Sequence, residues 1–191
     1  SSEEAVRSSV FQQYSERHKT YASSVARNIE SDMNLLMSKL ETVARSKEIQ
    51  NGDFADSQAS TLLNKIFAEA NTINQIDVLY ILDKEDVVVN SVNPSFQGAF
   101  LTGFDASELP PVIEYKSNLP NPTFSKAYVP NANSTLRITL LHPIYNSDTG
   151  EHLGSAGMVI VLDPFFSHYG NVNEIETQYL AALDSEGTVL T

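Results

Sequence analysis

IDVLYILDKEDVVVNSV, residues 76–92, is the stretch where the pattern of the chain changes and where its fold is decided. The runs IDVLYIL (76–82) and VVVNSV (87–92) are rich in β-branched and aromatic side chains, and the DKED between them is acidic and polar. Such side chains suit a pleated, half-buried surface, and a short polar break between two such runs reads as a β-hairpin.

The chain N-terminal to this hairpin is helical. From residue 2 to about residue 49 there is neither proline nor glycine, and apolar residues recur at helical spacing from Val6 through Val25, Ile29, Met33, Leu36 and Leu40 to Val43. With Ser2 as N-cap and Asn51-Gly52 as the stop, this helix would run roughly 47 residues, or ~70 Å. Globular helices average about 11–12 residues, so part of this one must project, pair with another helix or continue toward something N-terminal. A second helix is expected over 57–70, capped by Asp56 or Ser57, with Leu62, Leu63, Ile66, Phe67 and Ala70 as its buried face.

C-terminal to the hairpin the pattern is more irregular. Residues 93–122 are loop-rich, with Gly98, Gly103, Pro110, Pro111, Pro120 and Pro122 and room for a short helix around 113–116. Strands are expected at about 124–129, 136–144 and 153–162, the last two joined by the turn NSDTGE at 146–151. Strands joined by hairpins, with helices before and between strand pairs, give an α+β fold around an antiparallel sheet of about five strands. The chain's end, LDSEGTVLT (183–191), aligns without a gap on LDKEDVVVN (82–90). That match is either convergent hairpin chemistry or an internal repeat. On the repeat reading the chain divides into a long helix (1–50), one sheet module (51–173) and the start of a second, truncated module (174–191).

Composition removes several functions. Twelve basic residues against twenty-four acidic ones give a net charge of -12, which opposes nucleic acid and anionic lipid as partners. Cysteine is absent, which excludes disulfides, thiolate metal sites and a cysteine nucleophile. The histidines, His18, His142, His152 and His168, show no i, i+4 pairing. His142 and His152 flank the last expected hairpin and could face each other across it, but two ligands without a third make poor evidence for a metal. The turn NSDTGE lacks the oxygen spacing of a calcium loop, and there is neither a phosphate-cradling glycine loop nor a Gly-x-Ser-x-Gly elbow. With no acid, base and nucleophile converging, the reading is non-enzymatic, with no catalytic residue, metal or cofactor.

The order of long helix, second helix, YILDKEDVVVNS, FSKAYV, LRITLLHPIYN, GSAGMVIVLDPF and QYLAALDSEGTVL resembles the double Cache sensor family, over nearly all of the chain. These are extracytoplasmic, PAS-like ligand-binding domains of histidine kinases, chemoreceptors and related receptors. The resemblance implies a long helix leaving a first membrane span, a membrane-distal module that holds a small ligand, and a proximal module leading to a second span. Both spans would lie outside this chain. It also implies signalling through the N-terminal helix, which could form a homodimer. The alternative is a structural or interaction module that dimerises through that helix and fills its own pocket.

In the resembling family the ligand sits between the sheet and the loops before the third strand, here about residues 93–128. That segment holds Phe96, Phe100, Phe104, Tyr115, Lys116, Phe124 and Tyr128, apolar walls with a few polar handles. On the next strand Arg137 and Thr139 share one face, while Leu136, Ile138 and Leu140 share the other. Arg137 could take a ligand carboxylate by paired hydrogen bonds, or be held in a salt bridge. Tyr80 could offer its hydroxyl to the pocket or fill the core. The amino-acid-binding members carry an Arg-x-Trp-Tyr element, a Tyr-x-Asp, and an Asp in the last strand. This chain has no tryptophan, matches the tyrosine of the second element with Tyr128, and has Pro130 and Val159 where the two acids would fall. An α-amino acid held in the family's way is therefore disfavoured, leaving a carboxylate, an uncharged metabolite or no small ligand.

Overall fold

A computed structural model describes residues 24–93, 100–130 and 132–169. The helix expected before residue 24, the residues from 174 onward and Phe96 lie outside the described residues. Helix α1 covers residues 24–44, succeeded by α2 (Lys47–Gln50) and α3 (Ser57–Ala70). Then come β1 (Ile76–Asp83), β2 (Val88–Val92), α4 (Pro110–Asn118), β3 (Thr123–Phe124), β4 (Arg137–Tyr145), β5 (His152–Val161) and α5 (Leu162–Ser167). The five strands form one sheet in the order β2-β1-β5-β4-β3, with every neighbouring pair antiparallel. The expected α+β class with an antiparallel sheet of five strands is what the chain forms.

One face of the sheet belongs to the helices. The stripe of Ile29, Met33, Leu36, Leu40 and Val43 on α1 packs with α3 against Leu79, Ile81, Ile138, Leu140, Ile144, Met158 and Ile160. The opposite side of α1 exposes Arg27, Asn28, Ser31, Asn34 and Ser38 among the described residues, with Leu35 a large exposed apolar exception. Within residues 24–44 the apolar stripe is thus covered by the chain's own sheet and is not free to pair with another helix. The helix also stops earlier than its sequence pattern implies. Ser46 takes an extended conformation, its Oγ donating to the Val43 carbonyl, and the single turn of α2 comes next. Asp56 caps α3, its Oδ1 accepting from the Gln58 N–H at 2.8 Å.

The hairpin that decides the fold is closed by its own acid. Asp83 Oδ1 accepts from the N–H groups of Glu85 and Val87, holding the turn from which β2 returns. Two other expectations shift. Pro110 and Pro111 open α4 instead of interrupting a loop, because proline's fixed φ and missing N–H cost nothing in a first helical turn. The strand expected at 124–129 shrinks to β3 and a single bridge between Tyr128 and Arg137. Ser125 is the reason: its Oγ accepts from the Thr139 N–H at 2.8 Å, so a side chain takes a place that a backbone carbonyl holds in a regular ladder.

Two glycines of β5 are set by close approach. A Cβ at Gly154 would lie 2.1 Å from the Leu82 carbonyl oxygen, and one at Gly157 would lie 2.3–2.6 Å from the Tyr80 ring. Gly154→Ala is expected to destabilise the fold by about 1–3 kcal/mol, since backbone cannot move aside as a side chain can. Gly157→Ala should cost a similar amount in the wild-type chain and much less beside Tyr80→Leu. Denaturant midpoints of the single and double variants check this, and equal costs in both backgrounds would show that Tyr80 does not fill the space over Gly157.

A candidate ligand-binding face

The second face of the sheet carries the residues that alternate with the helix-facing ones. Val78, Tyr80 and Leu82 of β1, Leu141 of β4 and Val159 of β5 form a separate apolar cluster with Val112 and Tyr115 of α4 and Val88 and Ala106. Phe100, Phe104 and Leu109 pack against it, so among the described residues the cover consists of α4 and residues 100–109. Register aligns Tyr80 with Gly157 and Leu141, and Leu82 with Ser155 and Pro143. The missing side chain at Gly157 admits the Tyr80 ring, which stacks on Phe100 with centroids 4.6 Å apart.

Buried polar groups gather at the two ends of this face. At one end Tyr128 and Thr139 share a 2.7 Å hydrogen bond between hydroxyls. Beside them Arg137 donates through Nε to Asp77 Oδ2 at 3.3 Å and through Nη1 to the Thr135 carbonyl at 2.7 Å. At the other end the Tyr115 hydroxyl lies 3.0 Å from His152 Nε2, and Lys116 Nζ donates to Asp86 Oδ2 at 2.7 Å. Asp86 is buried and holds φ +64°, a left-handed conformation that is uncommon for any residue but glycine. Ser155 is 1% exposed, and its Oγ has no hydrogen-bond partner among the described residues. It lies close enough to Tyr115 to favour that residue's phenolate, but without the geometry of a hydrogen bond.

Burial dominates the titration of these groups. It pushes the Tyr80 hydroxyl well above the usual tyrosine range, reinforced by Tyr128 and the Asp86 carboxylate. It raises Tyr115, with Tyr145 and Asp86 adding to it, and raises Tyr128 against the opposing effects of the Thr139 bond and Arg137. His152 is lowered by burial, with Asp86 acting the other way. All four side chains are therefore uncharged at neutral pH.

The residues expected to form a site do not all meet. Tyr80, Tyr115, Tyr128 and Thr139 share the covered face, with Arg137 at one edge and Lys116 at the other, and both cations already ion-paired. Phe124 is a correction: it pairs with Leu140 and packs into the helix-side core, because Thr123, not Phe124, has the parity of the covered face. His142 and His152 do not face each other either. His142 pairs with Ala156 of the helix-side cluster, whereas His152 pairs with Tyr145 beyond a register shift and reaches Tyr115. Asp77, Asp86 and Ser155 are members of this face that the sequence did not single out, and His152, considered there only as a metal ligand, is another. Strand parity could have signalled Ser155, two residues before Gly157. Tyr128 also lines an open groove of about 510 Å³ between the start of α4 and residues 126–128.

No protein-family model and no curated protein matches the chain. Solved structures do. The extracellular domain of the putative histidine kinase vpHK1S-Z8 superposes with a TM-score of 0.64 at 14% identity, covering 83% of this chain and 62% of that one. The ligand-binding domain of the Campylobacter jejuni chemoreceptor Tlp3, in complex with L-valine, gives 0.62 at 14% identity over 85% and 65% of the two chains. That of the Pseudomonas aeruginosa amino acid chemoreceptor PctB, in complex with L-Gln, gives 0.57 at 14% over 79% and 57%. This chain thus spans less than two thirds of the length of each. It has the fold of the extracellular sensory domains of chemoreceptors and histidine kinases, the fold that its resemblance to double Cache domains implies.

The lowered His152 pKa has a definite sign. Between the folded value and the ordinary ~6.5, the unfolded chain binds the proton more readily, so stability is full above ~6.5 and is lost as pH falls toward the folded value. The melting temperature of the wild type should therefore drop further than that of His152→Gln between about pH 8 and pH 5. Parallel curves for the two proteins would mean that His152 contributes nothing to the pH dependence.

Proposed function

We propose that the chain is a non-enzymatic, extracytoplasmic ligand-sensing domain of a membrane receptor, binding a small molecule between the covered face of its sheet and the α4 cover. The observation that carries this reading is where the buried polar groups lie. Asp86, Thr123, Ser125, Thr139 and Ser155 belong to the covered face or its rim, and among the described residues Gln75 is the one buried polar group that lies elsewhere. A face meant only to be packed would bury apolar groups there, since each polar group taken from water must find a partner. Solved structures of this fold hold L-valine and L-Gln in the Tlp3 and PctB domains, which supports a small-molecule role for the same architecture here.

In this reading ligand binding shifts an equilibrium between two arrangements of cover and sheet, and α1 on the opposite face carries the change toward the membrane. Homodimerisation, if it accompanies signalling, draws on residues before 24 or on the polar side of α1, since the apolar stripe of 24–44 is already covered. A second reading has its own observation. Tyr80 occupies the space over Gly157 and stacks on Phe100, which suits a face filled by its own side chains and a purely structural or interaction role.

Thermal unfolding against a broad metabolite library separates the two. A ligand at 100 times its Kd adds about 2.7 kcal/mol, or roughly 5–11 °C at ~2–4 °C per kcal/mol. Thr139→Val, which removes a hydroxyl from the covered face, should abolish most of that shift. No stabilisation by any compound, or a shift indifferent to Thr139, would favour the filled-face reading.

A further inference from the structure

We infer that the ligand of this face is uncharged, recognised by hydroxyl groups and aromatic surface and not by ion pairing. This rests on the proposed ligand-binding role and adds the chemical class. The charges around the face are already spent on one another. Arg137, the cation expected to receive a carboxylate, holds Asp77 through Nε and the Thr135 carbonyl through Nη1. Lys116, the other expected handle, donates to the buried Asp86 at 2.7 Å. Among the described residues, the two cations at the edges of the face are therefore each matched by a carboxylate.

Among the described residues, the other charged groups of the cover are exposed or half-buried. Asp105 and Glu108 are exposed, and the Asp105 carboxylate accepts from the Ser107 N–H. Glu114, half-buried on α4, accepts from the Lys126 N–H and lines the groove beside Tyr128.

The groups left on the face can donate and accept without charge: the hydroxyls of Tyr80, Tyr115, Tyr128, Thr139 and Ser155. Ser155 is the sharpest of these, a buried hydroxyl beside Tyr115 and His152 with no hydrogen-bond partner among the described residues. A buried hydroxyl left unpaired is costly, and an incoming amide, alcohol or ring heteroatom would supply the missing bond. A carboxylate, ammonium or phosphate would have to break an existing ion pair or enter without a counter-charge, and both are penalised heavily in a desolvated site. The zwitterions seen in the Tlp3 and PctB domains present both problems at once.

The test uses matched pairs in which a charged group is absent or replaced by an uncharged one: succinamide and succinate, nicotinamide and nicotinate, butyramide and butyrate, ribose and ribose 5-phosphate, within a wider library built the same way. Binding to the wild-type chain is measured by thermal shift and calorimetry. Uncharged members should bind at least about ten-fold more tightly than their charged partners, a difference of about 1.4 kcal/mol. Asp77→Asn, which releases Arg137, should narrow or reverse that preference for the carboxylates alone. Ser155→Ala should weaken the uncharged members about ten-fold while leaving the fold's unfolding transition cooperative. Tighter binding by the charged members of the pairs would overturn the inference and leave the ligand-sensing role standing. Silence from both members throughout the library would overturn that role, and the inference with it.

Discussion

The central strands β1 and β5 are covered on both faces, and the rest of the structure depends on that constraint. A strand between two layers has no solvent side, so every residue commits to one core or the other. Along β1, Leu79 and Ile81 enter the helix-side cluster, while Val78, Tyr80 and Leu82 enter the cluster beneath α4. A slip of one residue would exchange the two sets, placing the Tyr80 hydroxyl among the aliphatic side chains that meet α1. Gly157 and Gly154 fix the register further. The first leaves room for the Tyr80 ring, and the second lets the Leu82 carbonyl approach β5 more closely than any side chain would permit.

The same constraint explains what could be read from the sequence and what could not. The hairpin at 76–92 announces itself through β-branched runs around an acidic break, and the α1 stripe through its spacing, because both are local patterns. The covered face was legible in part. Arg137 and Thr139 separate from Ile138 and Leu140 by simple alternation, and the structure keeps that separation. Phe124 belongs to the face opposite the one expected, because its parity depends on pairing with Leu140 of a different strand, and on Ser125 replacing a ladder bond immediately after it. Asp77 and Asp86 gave no signal for a related reason. Asp86 lies in a turn, where acids are ordinary, and only Lys116, thirty residues on, shows that it is buried and paired.

Charge pairing across the cover also has a structural consequence. Tyr115 and Lys116, adjacent on α4, reach two different elements: His152 at the start of β5 and Asp86 in the β1–β2 turn. The helix has no side-chain cap at its N-terminus. Its attachment to the sheet therefore combines the burial of Val112 and Tyr115 with polar ties toward its C-terminal half. Breaking the buried Asp86 pair by removing Lys116 alone would strand a carboxylate in the interior, which is the costly way to lose an ion pair. The pair thus resists piecemeal loosening, and the opposite end of α4 borders the groove lined by Pro110, Pro111 and Tyr128.

A sheet one layer thick places the covered face and α1 within one strand of each other, and that geometry bears on how a binding event could travel. Tyr80 lies between Leu79 and Ile81, and Thr139 between Ile138 and Leu140, all four of these neighbours being in the core that α1 caps. A change that draws Tyr80 or Thr139 toward a ligand must move the same backbone that holds those neighbours against Met33, Leu36 and Leu40. Interiors packed at crystal-like density do not absorb such a shift in empty space, so it is passed on or it costs packing energy. The helix need not be touched by the ligand to respond to it. On the proposed role, the coupling element is the alternation of the strands themselves, and the most direct route runs through β1 and β4 into the stripe of α1.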